Sequence, residues 1–376
     1  MLYAIRMSRS ETSVLTRSTM GVSEPRYRQA SELLRRLGFD THDINWARSR
    51  EDLKNFKDGH QNLFRLSARY GAGISNYFMH FRFNMFILRN IWVIKPKVVY
   101  ACDFDTLIPS IIYKVFNPTI LIFDQFDPLS ARVTNKYLGS ALDVLENSFA
   151  KKADIRITAN SQRVSETVRT SWLEIKNLTL LNILNEDHRD NQDVFQLFYG
   201  GILTHDRGLL HCLDVIEKKK TWRINIFGQG PEKSSLEKRV GSNISLHDQI
   251  PHGELMTRAQ SANLYLALYD PYSRNNRLTA SNKLYEAAQL GIPLLTSKNT
   301  YIGEIVQKFK LGWAVTYGDS VEFEAALDEC ACMTEIQRIG LVDNLTRFLQ
   351  DEIEAQNSNI QILEHRITSM IKLEGK

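Results

Sequence analysis

The stretch TASNKLYEAAQLGIPLLTS, Thr279 to Ser297, constrains the fold more than any other part of the chain. NLYLALYD (263–270) precedes it, an apolar run ending in an acid, which reads as a buried strand. A polar loop, 271–281, leads into a helix predicted over 282–290, with Ser281 as N-cap and Gly291 just past its end. IPLLTS then reads as a second buried strand. Strand, loop, helix and strand in that order make a crossover on a parallel sheet, and so an α/β protein. The start of such a helix offers backbone N–H groups at Asn282, Lys283 and Leu284, plus the ammonium of Lys283. That combination suits an anion, phosphate above all. Glu286 lies one turn further in, and helical side chains lean back toward the N-terminus, so its carboxylate reaches the same ligand. A carboxylate beside a phosphate is unfavourable unless it meets hydroxyls. Phosphates plus a vicinal diol describe a nucleotide. An ordinary amphipathic helix shares the apolar spacing, which by itself does not separate the two.

Length and charge set the wider bounds. A chain of 376 residues has room for two domains. No apolar run approaches the ~18 to 20 residues of a membrane span, and the N-terminus lacks a signal-peptide core. The cysteines, Cys102, Cys212, Cys330 and Cys332, form no metal spacing and read as reduced thiols, so a cytoplasmic location is expected. The net charge of +4 hides an asymmetry. Residues 1–190 hold 27 Lys and Arg against 20 Asp and Glu, a balance of +7, and the rest holds 20 against 23, a balance of −3. A basic first half suits an anionic surface or substrate. Nucleic acid is not expected as a partner, since the charge is modest and no recognised module appears.

The order Asn-Lys-Leu-Tyr-Glu followed by Gly-Ile-Pro and a strand resembles the signature of family-4-like glycosyltransferases, which have the GT-B fold. Further segments resemble that family in order. SVLTRS (13–18), a loop, a helix from Pro25 to Leu37, and THDINW (41–46) resemble its opening; KVVYACDFD (97–105), ILIFDQFDP (120–128) and LENSFAKKADIRITAN (145–160) resemble its next strands. FQLFYGGILTHDRGLLHCLDVI (195–216), WRINIFGQGPE (222–232), ISLHDQIPHGEL (244–255) and EIVQKFKLGWAVTYGD (304–319) resemble its second half. The match is firm from about 197 to 327 and patchy before.

The resemblance implies two Rossmann-like domains with parallel sheets facing a cleft. The expected boundaries are an acceptor-side domain over 1–185, a linker over 186–194, a nucleotide-sugar domain over 195–345, and a final helix, 346–376, crossing back to the first domain. It implies transfer of a sugar from a UDP- or GDP-sugar to a saccharide or lipid-linked acceptor with retention, without a metal or other cofactor. Arg207, Lys283, Glu286 and Asp124 are the implied catalytic residues. Gly200, Gly201, Gly228, Gly230, Ile250, Pro251, Asn282 and Leu284 are the implied donor-binding residues, with backbone N–H groups at Gly201 meeting the diphosphate.

Three departures stand out: Phe126 where the family often has His, Leu278 where many relatives carry Glu, and Asn263 for Asp. Asp124 or Asp127 could take over the polar role at the first, and Tyr272, Arg274, Asn275 or Asn276 could contact the sugar. Arg26 reads equally as an acceptor or phosphate contact and as a solvated arginine. Asp103-x-Asp105 more readily closes a strand end than binds metal. In 60–92 aromatics interleave with arginines: Tyr77, Phe78, Phe81, Phe83 and Phe86 beside Arg82 and Arg89. Phe78, Phe81, Met85 and Leu88 recur at helical spacing, which fits a core helix or a peripheral contact at the inner face of the plasma membrane. Two rivals share nucleotide binding: a sugar-nucleotide 2-epimerase on the same fold, and a non-catalytic nucleotide- or glycan-binding subunit.

Overall fold

The structure, a computed structural model, describes residues 11–19, 24–48, 62–67, 74–133, 135–164, 166–178, 180 and 194–374. Residues 1–10, the loop tip 20–23, residues 182–185 of the expected first domain and all of the expected linker except Val194 lie outside them. The chain divides into two compact units, one of Met1–Asn177 with Gln356–Lys376, the other of Leu178–Ala355.

The first unit is built on seven strands, β1 (Thr12–Arg17), β2 (Asp40–Ala47), β3 (Leu63–Arg65), β4 (Val98–Cys102), β5 (Ile120–Gln125), β6 (Ile155–Thr158) and β7 (Leu173–Glu174). They lie in the order β3-β2-β1-β4-β5-β6-β7, each pair parallel. The connections include α1 (Pro25–Arg36), α2 (Ile74–Ile94), α3 (Phe104–Phe116) and α4 (Lys136–Ala150). Every residue of β4 and β5 is buried, the signature of strands covered on both faces. Pro25 opens α1, where its missing N–H leaves nothing unsatisfied.

Helix α2 corrects one expectation. Its core seam is Phe83, Ile87 and Ile91, all fully buried. Phe78, Phe81 and Met85, the stripe read above as core or as a peripheral contact, face solvent, and Leu88 is half-buried. Both stripes have helical spacing, so periodicity alone could not say which one turns inward.

The second unit repeats the plan with β8 (Phe195–Gly200), β9 (Trp222–Phe227), β10 (Ile244–His247), β11 (Leu264–Ala267), β12 (Leu294–Ser297) and β13 (Gly312–Val315). Their order is β10-β9-β8-β11-β12-β13, again all parallel. Its helices are α5 (Leu209–Ile216), α6 (Lys233–Glu237), α7 (His252–Ala259), α8 (Arg274–Arg277), α9 (Asn282–Leu290), α10 (Tyr301–Phe309) and α11 (Ser320–Ala331), followed by α12 (Glu335–Glu374). The loop read as 271–281 therefore contains a helical turn, α8.

Helix α12 serves both units. Leu345 and Phe348 join the core of the second. Leu363 and Ile367 join the core of the first, where Gln356 bonds the backbone N–H (2.9 Å) and carbonyl (3.1 Å) of Lys176. In each sheet the strand order reverses once, between β1 and β4 and between β8 and β11. The crevice at the carboxyl ends of the strands beside such a reversal is where open α/β sheets take their ligands.

Candidate functional site

Helix α9 starts beside the reversal of the second sheet, and its local chemistry fixes both ends. The Ser281 hydroxyl caps it by accepting from the Lys283 N–H at 3.2 Å, and Gly291 closes it in the left-handed conformation at φ 61°. Ser281 Oγ also accepts from the Tyr269 hydroxyl at 2.6 Å, which ties the helix start to the residues just past β11. The backbone supply at this end is smaller than the sequence suggested. The Lys283 N–H goes to the cap, and the Leu284 N–H reaches the Ser281 carbonyl at 3.4 Å. The Gly201 N–H donates to the Phe227 carbonyl at 2.9 Å, so it is not aimed at a ligand. What this end offers an anion is therefore side-chain cations and the helix dipole.

Those cations are Lys283 and Arg207. Lys283 Nζ lies 5.4 Å from the centre of the Tyr199 ring, against the bare Cα of Gly201. A Cβ at Gly201 would stand 2.7 Å from that nitrogen. Among the described residues Lys283 forms no salt bridge. Burial presses its ammonium toward the neutral form, but Tyr269, Tyr199 and the Glu286 carboxylate outweigh burial, and its pKa lies above the ordinary value. It is charged at neutral pH. Arg207 stacks on the Tyr269 ring at 4.7 Å and donates to Asp206 (2.9 Å) and Asn276 (3.0 Å). Asn276 in turn donates to Asp206 at 2.7 Å. Burial alone would raise Asp206, but the hydrogen bonds from Thr204 and Asn276 and the Arg207 charge hold it below the usual range. Arg207 is thus oriented before any ligand arrives.

Glu286, 7% exposed, stands behind the cations. One carboxylate oxygen is 2.8 Å from His252 Nε2 and the other accepts from the Tyr265 hydroxyl at 2.8 Å. Burial would raise its pKa, yet His252, Lys283 and Tyr265 bring it below the ordinary value, so it is ionised at neutral pH. Each oxygen keeps further acceptor capacity, enough for a pair of neighbouring hydroxyls. Pro251 is the N-cap of α7, Ile250 packs on the core beneath, and Leu255 of α7 sits against Gly200, where a Cβ would meet it at 2.9 Å. The segment after β10 therefore covers the end of β8. Gly228 and Gly230 serve close backbone packing: a Cβ at Gly228 would lie 1.9 Å from the Gly201 carbonyl oxygen, and one at Gly230 2.2 Å from that of Leu203. Asn282 and Leu284 occupy the first turn of α9, Leu284 with its side chain in the core.

Asp124 belongs to the first unit. It is the penultimate residue of β5, is 0% exposed, and has both oxygens engaged by the Arg26 guanidinium and one by the Tyr100 hydroxyl at 2.7 Å. In this arrangement the carboxylate serves as the ion-pair partner of Arg26 rather than lying open to solvent. Arg26 is correspondingly neither solvated nor open to a phosphate. Phe126 fills the position of the expected His and carries two arginines on its ring, Arg17 at 4.0 Å and Arg26 at 5.0 Å. Asp103 closes a strand end, accepting from the Phe126 and Asp127 N–H groups at 2.9 and 3.0 Å. Among the described residues no three His, Cys, Asp or Glu side chains are grouped to hold a metal.

Residues 196–332 match the profile of the family described as Glycosyl transferases group 1. No curated protein matches the sequence. Among solved structures the chain is similar to HepE of Anabaena in complex with UDP-glucose, with a TM-score of 0.68 and 11% identity, covering 94% of this chain and 100% of that one. It is similar to a sucrose-phosphate synthase from Thermosynechococcus elongatus, with a TM-score of 0.64 and 13% identity over 96% and 98% of the two chains. It is also similar to WaaB, a lipopolysaccharide outer core galactosyltransferase in its apo form, with a TM-score of 0.59 and 11% identity over 93% and 98%. At such identities the likeness is one of fold, and the fold is GT-B: two α/β units, each on a parallel sheet.

Proposed function

We propose that the chain is a glycosyltransferase that moves a sugar from a nucleoside-diphosphate sugar, UDP- or GDP-linked, to the hydroxyl of a saccharide acceptor. The observation that carries this reading is the pairing of Lys283 and Arg207 at the capped start of α9 with the ionised Glu286 one turn behind. Two oriented cations on a helix dipole suit a diphosphate, and a carboxylate with spare acceptor capacity suits the ribose diol. The family profile over 196–332 supports the same class.

In the reaction, the bond from the anomeric carbon to the β-phosphate oxygen breaks and the electron pair leaves with the diphosphate. The acceptor oxygen forms the new bond, and its proton passes to a departing phosphate oxygen on the same face, which gives retention. Lys283 and Arg207 meet the charge that builds on the leaving group, where fixed charges contribute most. On this reading they do the work of a metal, and turnover should be insensitive to EDTA; a loss of tenfold or more would overturn that part. The acceptor we favour is a lipid-linked saccharide at the cytoplasmic face of a membrane, in line with the basic, aromatic first unit.

A thermal-shift panel of UDP-, GDP- and CDP-sugars, followed by product analysis with and without acceptor, tests the proposal. Stabilisation by one nucleotide class and acceptor-dependent release of the diphosphate are expected. Conversion of the sugar nucleotide to its epimer without acceptor would install the epimerase instead, and binding without turnover the non-catalytic subunit.

A further inference from the structure

Helix α2 has two apolar faces and the first unit covers one of them. The inward face is Phe83, Ile87 and Ile91. On a wheel of 3.6 residues per turn, Phe78, Phe81, Arg82, Met85, Arg89, Trp92 and Val93 fall on the opposite side within about 120°. All seven are exposed, with Phe78 at 62%, Phe81 at 61% and Val93 at 77%. Trp92 links this row to α3: its ring meets Tyr113 edge-on at 5.7 Å and Phe116 at 6.0 Å. Ile112, Val115 and Phe116, one face of α3 by spacing, are exposed beside it. The result is a continuous apolar surface on two packed helices. A helix apolar on both sides is normally buried all round.

Charge says what covers it. Residues 59–102 contain six Lys and Arg and no Asp or Glu. Two of the cations, Arg82 and Arg89, stand inside the apolar row. Exposed aromatics with interspersed arginines and no acid match the boundary of an anionic bilayer, where rings sit at the headgroup level and guanidinium groups meet phosphates. At 21 residues α2 is about 30 Å long, yet among the described residues no helix is apolar enough to cross a membrane.

We propose that the exposed faces of α2 and α3 form a docking surface for anionic phospholipid bilayers. This deepens the lipid-linked acceptor reading above and names the contact that would bring the first unit to such an acceptor.

Flotation of the full chain with vesicles tests it, using pure phosphatidylcholine against a 70:30 mixture with phosphatidylglycerol in 100 mM salt. The wild type should float with the anionic vesicles and bind the neutral ones at least tenfold more weakly. Arg82→Gln with Arg89→Gln should lower partitioning about 30-fold, at roughly a factor of five for each arginine near an anionic surface. Phe78→Ser with Phe81→Ser should lower it tenfold or more, and since these rings are exposed the first unit should keep its fold, as an unchanged unfolding transition reported by Trp46 and Trp172 would show. A wild type that stays in the soluble fraction while binding UDP-sugar overturns the docking surface and leaves the transferase reading standing. Vesicle binding without nucleotide binding does the reverse. Equal vesicle binding by both double variants, or a dimer that the Phe→Ser pair dissolves without any vesicle binding, also overturns the proposal, the latter in favour of a second copy of the chain.

Discussion

Lys283 depends on a neighbour that has no side chain. Its ammonium occupies the space beside Gly201 that a Cβ would need. Gly201→Ala should therefore displace the cation and weaken UDP binding about tenfold, close to the effect of Lys283→Ala. Lys283→Ala and Arg207→Ala should each lower kcat/KM by roughly 10- to 1000-fold, in line with the loss of one preorganised charge donor. Steady-state kinetics with the preferred sugar nucleotide checks all three, and unchanged turnover in Lys283→Ala would remove the phosphate assignment.

Elsewhere, Glu146 is 1% exposed, with one oxygen accepting from Gln125 and the Leu129 N–H and the other without a hydrogen-bond partner among the described residues. Burial, against those hydrogen bonds, pushes its carboxyl up to about 7 from 4.5. The folded state thus holds the proton more tightly than the unfolded one. Its stabilising contribution is full below about 4.5 and lost as the pH rises through about 7. Glu146→Gln should change stability little at pH 5 and raise it by about 1–3 kcal/mol at pH 8. Urea unfolding at the two pH values would decide, and an equal gain at both would contradict the assignment.

At this scale the sequence was legible for the grouping of Lys283, Glu286 and Arg207, since each stands in a short stretch of recognisable order. It was not legible for His252, Tyr265, Asp206 or Tyr269, whose roles depend on strands brought together from different parts of the chain. The enclosure of Asp124 was not legible either, because its partner, Arg26, is 98 residues away.

At the scale of elements, α9 carries the site and its cap carries α9. Ser281→Ala removes the acceptor of the Lys283 N–H and of the Tyr269 hydroxyl together. The loss should be about 1 kcal/mol of stability. Because Arg207 stacks on Tyr269, donor affinity should fall several-fold as well. Calorimetric titration alongside urea unfolding would show both, and a loss of stability with no change in affinity would mean that the cap does not position the cations. Both ends of α9 were predictable because a serine cap and a left-handed glycine are local signals. The orientation of α2 was not, since each of its two stripes is apolar and only the packed sheet selects between them.

At the scale of the whole molecule, the two units repeat one architecture, and the site lies at the strand reversal of the second. Parallel strands with both faces covered leave long apolar runs, and these made the α/β class readable. The division of α12 rests on contacts far apart in sequence. Ending the chain at Ala355 would remove Leu363 and Ile367 from the core of the first unit along with the bonds of Gln356 to Lys176. Two buried side chains contribute about 3–6 kcal/mol. The truncated chain should show earlier loss of the first unit, reported by Trp46, Trp92 and Trp172, with UDP binding by the second unit retained.

The claim on which the rest depends is that the start of α9 receives a diphosphate. Isothermal titration of the wild type and Lys283→Ala with UDP and with uridine tests it without requiring the acceptor. UDP should bind the wild type at least tenfold more tightly than uridine, and Lys283→Ala should remove most of that difference while leaving uridine unchanged. If UDP binds no better than uridine, or the variant keeps the full preference, the diphosphate lies elsewhere and the account fails.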